Sequence, residues 1–258
     1  MEPSRLENEI ILEIPADRVV GLWQWLLRTF PPQCDVGERK LQCMRSVEHF
    51  LDVYFDTGNA ELAEQRVGVR LRRRMFEDGQ AKELLQVKMM GEHEGTIREE
   101  NKFLVRGGRR VRMEDDHHPL LQYVRRADRD QLQDVLQQID VEVRSLRPTL
   151  EIAQKRNRIY IGDPDPLLTL SLDTTSTGRL WVRETIEELD IEINEIRYTA
   201  ADEQEQRRLM DMQRIILQRI NDAFPGLPQD QTPKYTKMFE RVFRRLPFGR
   251  TLLRWGLL

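Results

Sequence analysis

Cysteine is scarce in this chain, and so are aromatic residues and long apolar runs. Cys34 and Cys43 are the only two cysteines among 258 residues, which excludes a disulfide-rich secreted scaffold and fits no zinc-binding spacing. We therefore expect two free thiols. No apolar run approaches the roughly 18 residues of a membrane-spanning helix, and the N-terminus has neither the basic start nor the apolar stretch of a signal peptide. The sequence thus predicts a cytoplasmic protein with no transmembrane span.

A strong excess of one charge is also lacking, with 41 Lys+Arg against 44 Asp+Glu. The chain is 39% hydrophobic, which is enough for a core and excludes a disordered protein. It has no Gly-rich phosphate loop, Ser-His-Asp order or DNA-binding motif, so we expect no nucleic-acid duplex as a partner. From Lys234 onward there are seven basic residues and one acid. Such a segment suits weak contact with a membrane surface, although a helix with a solvated basic face is the simpler interpretation.

Strand and helix patterns alternate along the chain. Apolar residues at helical spacing, ended by prolines, predict helices near 16–30, 60–66, 117–139, 200–222 and 234–245. Alternating and β-branched runs predict strands near 5–14, 53–55, 67–75, 83–90, 97–105, 150–161, 167–174, 179–183 and 185–194. No low-complexity linker divides the halves. We therefore expect one α+β domain over 1–245, followed by a basic and apolar tail over 246–258, while the sequence leaves the oligomeric state open.

Many of the predicted strands have one apolar face and one charged face. In 167–174 the leucines alternate with Thr169, Ser171 and Asp173, and in 185–194 Leu189 and its neighbours oppose a row of acids. An ordinary sheet would turn such a face to solvent. Here, however, the helices need an apolar surface, and the charged faces hold clusters of one sign. We predict an antiparallel eight-stranded tunnel barrel with a polar lumen and helices packed outside.

The charges of this lumen suggest a ligand. Arginine and lysine converging from several strands form a cradle for a polyanion, because the guanidinium group makes bidentate bonds with phosphate oxygens. Converging carboxylates would repel that anion unless a divalent cation lay between them. Magnesium or manganese suits oxygen ligands and is commonly shared between one or two carboxylates and a phosphate. Together the two clusters indicate a metal-bound phosphate chain.

Several short motifs resemble one known family in order and spacing. They are Glu7-Asn8-Glu9, Tyr54-Phe55-Asp56-Thr57, Val69-Arg70-Leu71-Arg72, Gln86-Val87-Lys88, Arg98-Glu99-Glu100 and Glu188-Leu189-Asp190-Ile191-Glu192. Between Glu7 and Lys234 the chain resembles the CYTH family, also called triphosphate tunnel metalloenzymes, which includes class IV adenylate cyclase and thiamine triphosphatase. The second half, with Arg156 and Thr232-Pro233-Lys234-Tyr235, is also similar to the polyphosphate polymerase of the vacuolar transporter chaperone branch. Glu7 favours the CYTH side.

The resemblance implies a triphosphate or polyphosphate ligand, hydrolysed with Mg²⁺ or Mn²⁺. It implies catalytic roles for Glu7, Glu9 and Glu100, and metal binding by Glu9, Glu188, Asp190 and Glu192. The implied phosphate ligands are Arg70, Arg72, Lys88, Arg98, Arg156, Arg158 and Lys234.

One position departs from the family. Its opening signature is Glu-x-Glu-x-Lys, and Ile11 occupies the lysine position here. An apolar side chain removes a cation from the tunnel and adds a desolvated patch, which affects catalysis more than binding. We expect a metal-dependent phosphohydrolase that acts on an inorganic or organic triphosphate or polyphosphate in the tunnel. The alternatives are a non-catalytic polyphosphate- or nucleotide-binding module, which Ile11 favours, and a polyphosphate polymerase or a cyclase.

Overall fold

The computed structural model describes residues 5–76, 79–90, 97–105 and 119–255. It contains nine β-strands in one antiparallel sheet. In chain order they are β1 (Arg5–Glu13), β2 (Gln33–Val36), β3 (Arg39–Asp56), β4 (Gly68–Met75), β5 (Ala81–Met90), β6 (Ile97–Leu104), β7 (Arg147–Gly162), β8 (Pro166–Arg179) and β9 (Val182–Ile193).

Eight of these strands close into a ring. The order is β3-β4-β5-β6-β1-β9-β8-β7, and β7 pairs back onto β3 over residues 147–162. Each strand of the ring therefore has two hydrogen-bonded neighbours, which leaves the ring no free sheet edge. Strand β2 forms a hairpin with the start of β3. The predicted eight-stranded antiparallel barrel is confirmed.

Helices surround the barrel, and one of them begins with residues that line the lumen, Lys234 and Tyr235. They are α1 (Val19–Thr29), α2 (Glu61–Glu64), α3 (Pro119–Tyr123), α4 (Arg129–Gln137), α5 (Glu195–Ala200), α6 (Glu203–Ala223), α7 (Lys234–Arg245) and α8 (Gly249–Arg254). Leu26 of α1 and Ile216 of α6 are fully buried in one apolar cluster with Leu170 and Leu189 of the sheet. Because these leucines alternate with polar residues, the apolar face points outward to the helices and the polar face points into the lumen.

Helix α7 is fixed by a buried tyrosine at its first turn. The Tyr235 ring stacks on Tyr54 at a centroid distance of 4.8 Å, and its hydroxyl donates to Asp56 Oδ2 at 2.7 Å. Asp56 also accepts backbone N–H bonds from Thr57, Leu62 and Ala63. This carboxylate joins β3, α2 and α7, and burial raises its pKa.

Two of the predicted strands need correction. The segment 179–183 is not a separate strand, because β8 runs to Arg179 and β9 starts at Val182, with Leu180 and Trp181 in the turn. The strand expected only around 53–55 is the last part of β3, which spans 18 residues. The lumen-facing residues of β3 include the buried acids Glu48 and Asp52. The run of apolar residues that would predict a buried strand is therefore weak over this segment.

Cys34 and Cys43 are free, as predicted, and both are buried. Their sulfur atoms lie 3.0 Å apart, and burial, with the neighbouring thiol, raises the pKa of Cys43 to about 12. Among the described residues, no helix combines the length and the apolar character that crossing a bilayer requires.

The basic residues of the C-terminal segment are largely paired within the chain. Outside the lumen, Arg241 contacts Glu13, Arg244 contacts Glu240, Arg245 contacts Glu184 and Arg250 contacts Glu64. Part of the predicted tail also packs on the domain, because Leu246 and Leu253 are buried in the apolar cluster that contains α7. Membrane-surface contact by this segment stays a prediction.

Candidate functional site

The barrel lumen contains a cavity of about 320 Å³, a size within the usual range of ligand sites. Among the described side chains, seven cationic ones line it, from four strands and one helix: Arg70, Arg72, Lys88, Lys102, Arg156, Arg158 and Lys234. Five carboxylates line it as well: Glu9, Glu100, Asp190, Glu192 and Glu195. The sequence prediction named all of these residues except Lys102 and Glu195 as site residues.

Arg72 is held rigidly by a buried carboxylate of β3. Its Nε and Nη2 atoms donate to the two oxygens of Asp52 at 2.8 and 2.6 Å, and its guanidinium lies 4.3 Å from the centre of the Phe50 ring. Burial alone would raise the pKa of Asp52, but Arg72 and Arg70 outweigh it and hold the pKa below its ordinary value. Asp52 therefore stays ionised and fixes the position of Arg72.

Arg70 is positioned by a network that includes Glu100. Its Nε donates to Gln86 Oε1 at 2.9 Å, and Gln86 Nε2 donates to Glu100 Oε1 at 2.7 Å. The other Glu100 oxygen lies 2.6 Å from Lys102 Nζ. Glu100 thus holds a lysine and, through Gln86, an arginine on the cavity wall.

Arg158 lies on a different part of the wall. It donates to Ser171 Oγ at 3.1 Å and to the Tyr160 hydroxyl at 3.2 Å, and it lies 3.4 Å from Glu48. Glu48 also contacts Arg74 at 2.5 Å, so this carboxylate has a second cationic partner.

A buried cluster of opposite charges joins β7, β8, β9 and α7. Arg156 makes a bidentate pair with Asp173 at 2.7 and 2.6 Å and lies 3.2 Å from Asp190. The Nζ atom of Lys234 lies within 3.2 Å of Asp173, Glu188 and Asp190. Burial and the charge of Asp173 raise the pKa of Asp190 to about 6, although Lys234 acts in the opposite direction.

The predicted metal ligands fall into two groups. Glu9 and Glu192 are directly opposite each other on β1 and β9, and Glu9 lies 3.0 Å from Lys88. Glu188 and Asp190 instead belong to the cluster around Lys234. The described residues contain no group of three or more His, Cys, Asp or Glu side chains arranged to hold a metal ion.

The donor chemistry nevertheless fits a magnesium or manganese ion that is completed by its ligand. Two facing carboxylates with hard oxygen atoms, together with phosphate oxygens, form the kind of set that Mg²⁺ takes. Glu9 and Glu192 offer this pair on the cavity wall.

Two predicted site residues lie partly outside the description. Glu7 and Arg98 are backbone partners across β1 and β6, but their side chains are outside the described residues. Ile11 is described: it is 3% exposed, lines the cavity and is the backbone partner of Asp190.

Sequence reasoning did not name Asp52, Asp173, Glu48 or Lys237 as site residues, although each anchors a lumen charge. Asp173 lies on the polar face of 167–174, so its alternation with leucines was an available signal. Asp52 and Glu48 share the lumen face of β3, and recognising that strand would have found them. Lys237 gave no local signal, because its contact with Glu188 at 2.5 Å depends on how α7 docks.

Residues 41–221 match the family model described as the CYTH domain. A search of curated proteins finds no match.

Similar solved structures include the PH1819 protein from Pyrococcus horikoshii OT3, with 14% identity, a TM-score of 0.49, and coverage of 90% of this chain and 97% of that one. A candidate adenylate cyclase from Bacillus halodurans shows 13% identity and a TM-score of 0.49, with coverage of 92% of this chain and 100% of that one. A third similar structure is HpAC1 from Hippeastrum, a candidate adenylyl cyclase described as having a dominant triphosphatase activity. It shows 16% identity and a TM-score of 0.49, with coverage of 93% of this chain and 98% of that one.

Proposed function

The chain belongs to the CYTH domain family, and on this premise we propose that it is a phosphohydrolase that cleaves a triphosphate or polyphosphate chain in the barrel lumen, with Mg²⁺ or Mn²⁺. One observation carries the proposal: seven cationic side chains from β4, β5, β6, β7 and α7 surround a single cavity. Such a concentration of positive charge favours a ligand with several negative charges.

The arginines supply the specificity for phosphate. Guanidinium groups bind phosphate oxygens through two parallel N–H bonds, and their positions here are fixed in advance by buried carboxylates and amides. We assign phosphate contacts to Arg70, Arg72, Arg156 and Arg158, together with Lys88 and, from the family resemblance, Arg98. Lys102 extends this wall. Because these cations are fixed before the ligand arrives, little reorganisation is needed when charge develops during cleavage.

The carboxylates have a different role. Glu9 and Glu192 would hold the divalent ion together with phosphate oxygens, and the family resemblance assigns a catalytic role to Glu7 as well. When bound, the ion would neutralise negative charge on the phosphate oxygens while water attacks phosphorus in line. Glu100 is a positioning residue, because it contacts Lys102 at 2.6 Å and reaches Arg70 both at 3.8 Å and through Gln86.

The test is a substrate screen. Tripolyphosphate, thiamine triphosphate, ATP and long-chain polyphosphate are incubated with the protein and with Mg²⁺ or Mn²⁺. Release of phosphate or pyrophosphate is the expected result. If saturating tripolyphosphate and polyphosphate neither react nor shift the melting curve at low salt, the lumen does not bind phosphate chains and the proposal is wrong. Elongation of a phosphate chain would indicate the polymerase instead.

The second candidate is a binding module without catalysis, and Ile11 is the observation that favours it. This side chain lies on the cavity wall among charged groups and does not belong to either apolar cluster of the protein. An apolar group there provides no charge to a reacting phosphate. Tight binding of every phosphate chain without turnover would support this candidate.

Changing Ile11 to lysine tests the two candidates against each other. We expect Ile11→Lys to raise turnover of a triphosphate by roughly a hundredfold, because one well-placed charge in a site shielded from water is commonly worth about 3 kcal/mol. The added ammonium would lie beside Glu9 and opposite Asp190, so it would have partners. Steady-state kinetics at saturating metal measure the effect.

Ile11→Met is the matched control, since it changes shape without adding charge. Unchanged turnover in both variants, with wild type already active, would show that another cation acts in place of a lysine on β1. Inertness of both variants, with binding intact, would favour the binding module.

A further inference from the structure

The ammonium group of Lys234 lies in the position of a bound cation. Its Nζ atom is 2.9 Å from Glu188, 3.0 Å from Asp173 and 3.2 Å from Asp190. The side chain of Lys234 is 13% exposed, and those of the three acids are 5% exposed or less. An ammonium has three N–H donors, and a carboxylate oxygen from each of three side chains lies within reach of them.

The charges of this cluster already balance. Among its buried groups, three carboxylates face three cations, because Arg156 pairs with Asp173 and Asp190, and Lys237 pairs with Glu188 at 2.5 Å. Lys237 also contacts the partly exposed Asp230 at 3.1 Å. A divalent ion entering beside Lys234 would bring two uncompensated charges into a buried site. That cost is large in a medium of low dielectric constant, so the ion could enter only by displacing the lysine.

Lys234 is also held in place by its backbone. The segment before α7 is bound to β1, since the Asp230 N–H donates to the Ile11 carbonyl at 3.1 Å and the Glu13 N–H donates to the Pro228 carbonyl at 2.9 Å. Directly after Lys234, Tyr235 is fully buried against Tyr54 and bonded to Asp56. The lysine is thus fixed on both sides, and displacing it would require breaking these contacts.

We infer that Lys234 is a resident cation that occupies the carboxylate site formed by Asp173, Glu188 and Asp190 and excludes a divalent metal ion from it. Metal binding is then confined to the Glu9 and Glu192 side of the lumen. The inference refines the metal site of the proposed function but concerns the ligand-free protein, so it stands or falls without any substrate. It also separates Lys234 from the phosphate-binding cations, because its ammonium group already lies against three carboxylates.

The experiment counts bound Mn²⁺ in the absence of phosphate. Lys234→Met keeps the length of the side chain and removes its charge, which leaves three carboxylates and two cations. We expect this variant to bind one Mn²⁺ per chain more than wild type, measured by equilibrium dialysis and by the electron paramagnetic resonance of free Mn²⁺. The variant should also show a larger Mn²⁺-dependent rise in melting temperature than wild type, because it binds one ion more.

Three further variants isolate the cause. Lys234→Arg keeps the charge and should bind no additional ion. Lys155→Met removes a lysine from the exposed outer face of β7 and should also leave the count unchanged. Adding Asp190→Asn to Lys234→Met should abolish the additional site. Equal Mn²⁺ counts in wild type and a folded Lys234→Met variant would overturn the inference.

A measurement on wild type covers the case in which Lys234→Met does not fold. The lysine side-chain resonances of the protein are followed by NMR while diamagnetic Mg²⁺ is added to saturation. We expect the Lys234 ammonium signal to remain protected and unshifted. Its loss or a large shift would show that the metal displaces the lysine. Failure of tripolyphosphate to bind would refute the proposed function but leave these metal counts valid.

Discussion

Replacing Asp173 with asparagine is expected to lower the free energy of unfolding by about 3 kcal/mol at pH 7. The side chain is fully buried and contacts two cations, Arg156 and Lys234. Asparagine keeps the shape but removes the charge, so Arg156 and Lys234 lose part of the negative charge that neutralises them. Removing one partner of a buried ion pair commonly costs about 3 kcal/mol or more, because the remaining charge stays desolvated. Urea unfolding followed by circular dichroism measures the difference.

The same change should have a characteristic pH dependence. Burial alone would raise the pKa of Asp173, but Arg156 and Lys234 outweigh it and hold the pKa well below its ordinary value. A carboxyl with a depressed folded-state pKa contributes stability that is fully present above its unfolded pKa, about 4, and is lost as the pH falls through the lower folded value. The difference between wild type and Asp173→Asn should therefore be largest near neutral pH and shrink in acid.

An exposed ion pair provides the control for this prediction. Glu203 and Arg207 on α6 are 87% and 75% exposed, and such pairs contribute little. Glu203→Gln should leave the unfolding midpoint nearly unchanged at every pH. If Asp173→Asn behaved in the same way, the buried cluster would not be a major source of stability.

Removing two arginines from the lumen should cause the largest loss of ligand binding. Arg70→Met and Arg158→Met are each expected to weaken binding of long-chain polyphosphate by roughly thirtyfold, since a charge-assisted hydrogen bond is worth about 2 kcal/mol. Within the described part of the chain the two arginines share no side-chain partner. The two free-energy losses should therefore add, which gives about a thousandfold weaker binding in the double variant. Isothermal titration calorimetry at constant salt measures the affinities.

Arg70→Met and Arg158→Met each leave the acid beside the removed arginine in contact with another cation. Glu100 keeps Lys102, and Glu48 keeps Arg74, so we expect the variants to fold. Arg214→Met, on the outer helix α6 and 69% exposed, is the control and should bind as wild type does. Equal affinity of the double variant and wild type would show that phosphate does not bind in the lumen.

The sequence by itself determined which residues share a strand face. Alternation of leucine with Thr169, Ser171 and Asp173 on β8, and of apolar residues with acids on β9, defined the two faces, because these follow from local backbone geometry. Together with the number of helices and the clusters of one charge, it predicted a barrel with a polar inside. The short motifs between Glu7 and Glu192 then identified the family, which the match over 41–221 confirms.

Only the tertiary structure decided which charges meet. Arg72 and Asp52, or Arg156 and Asp173, pair through the register of neighbouring strands, and no local pattern specifies that register. Lys234 was predicted as a phosphate ligand, yet it lies against three carboxylates because the segment before α7 binds to β1 and Tyr235 inserts beside Tyr54. Residue spacing predicts on which side of its strand a side chain lies. Which residue that side chain contacts depends on how strands and helices pack together, since the contacting residues come from distant parts of the chain.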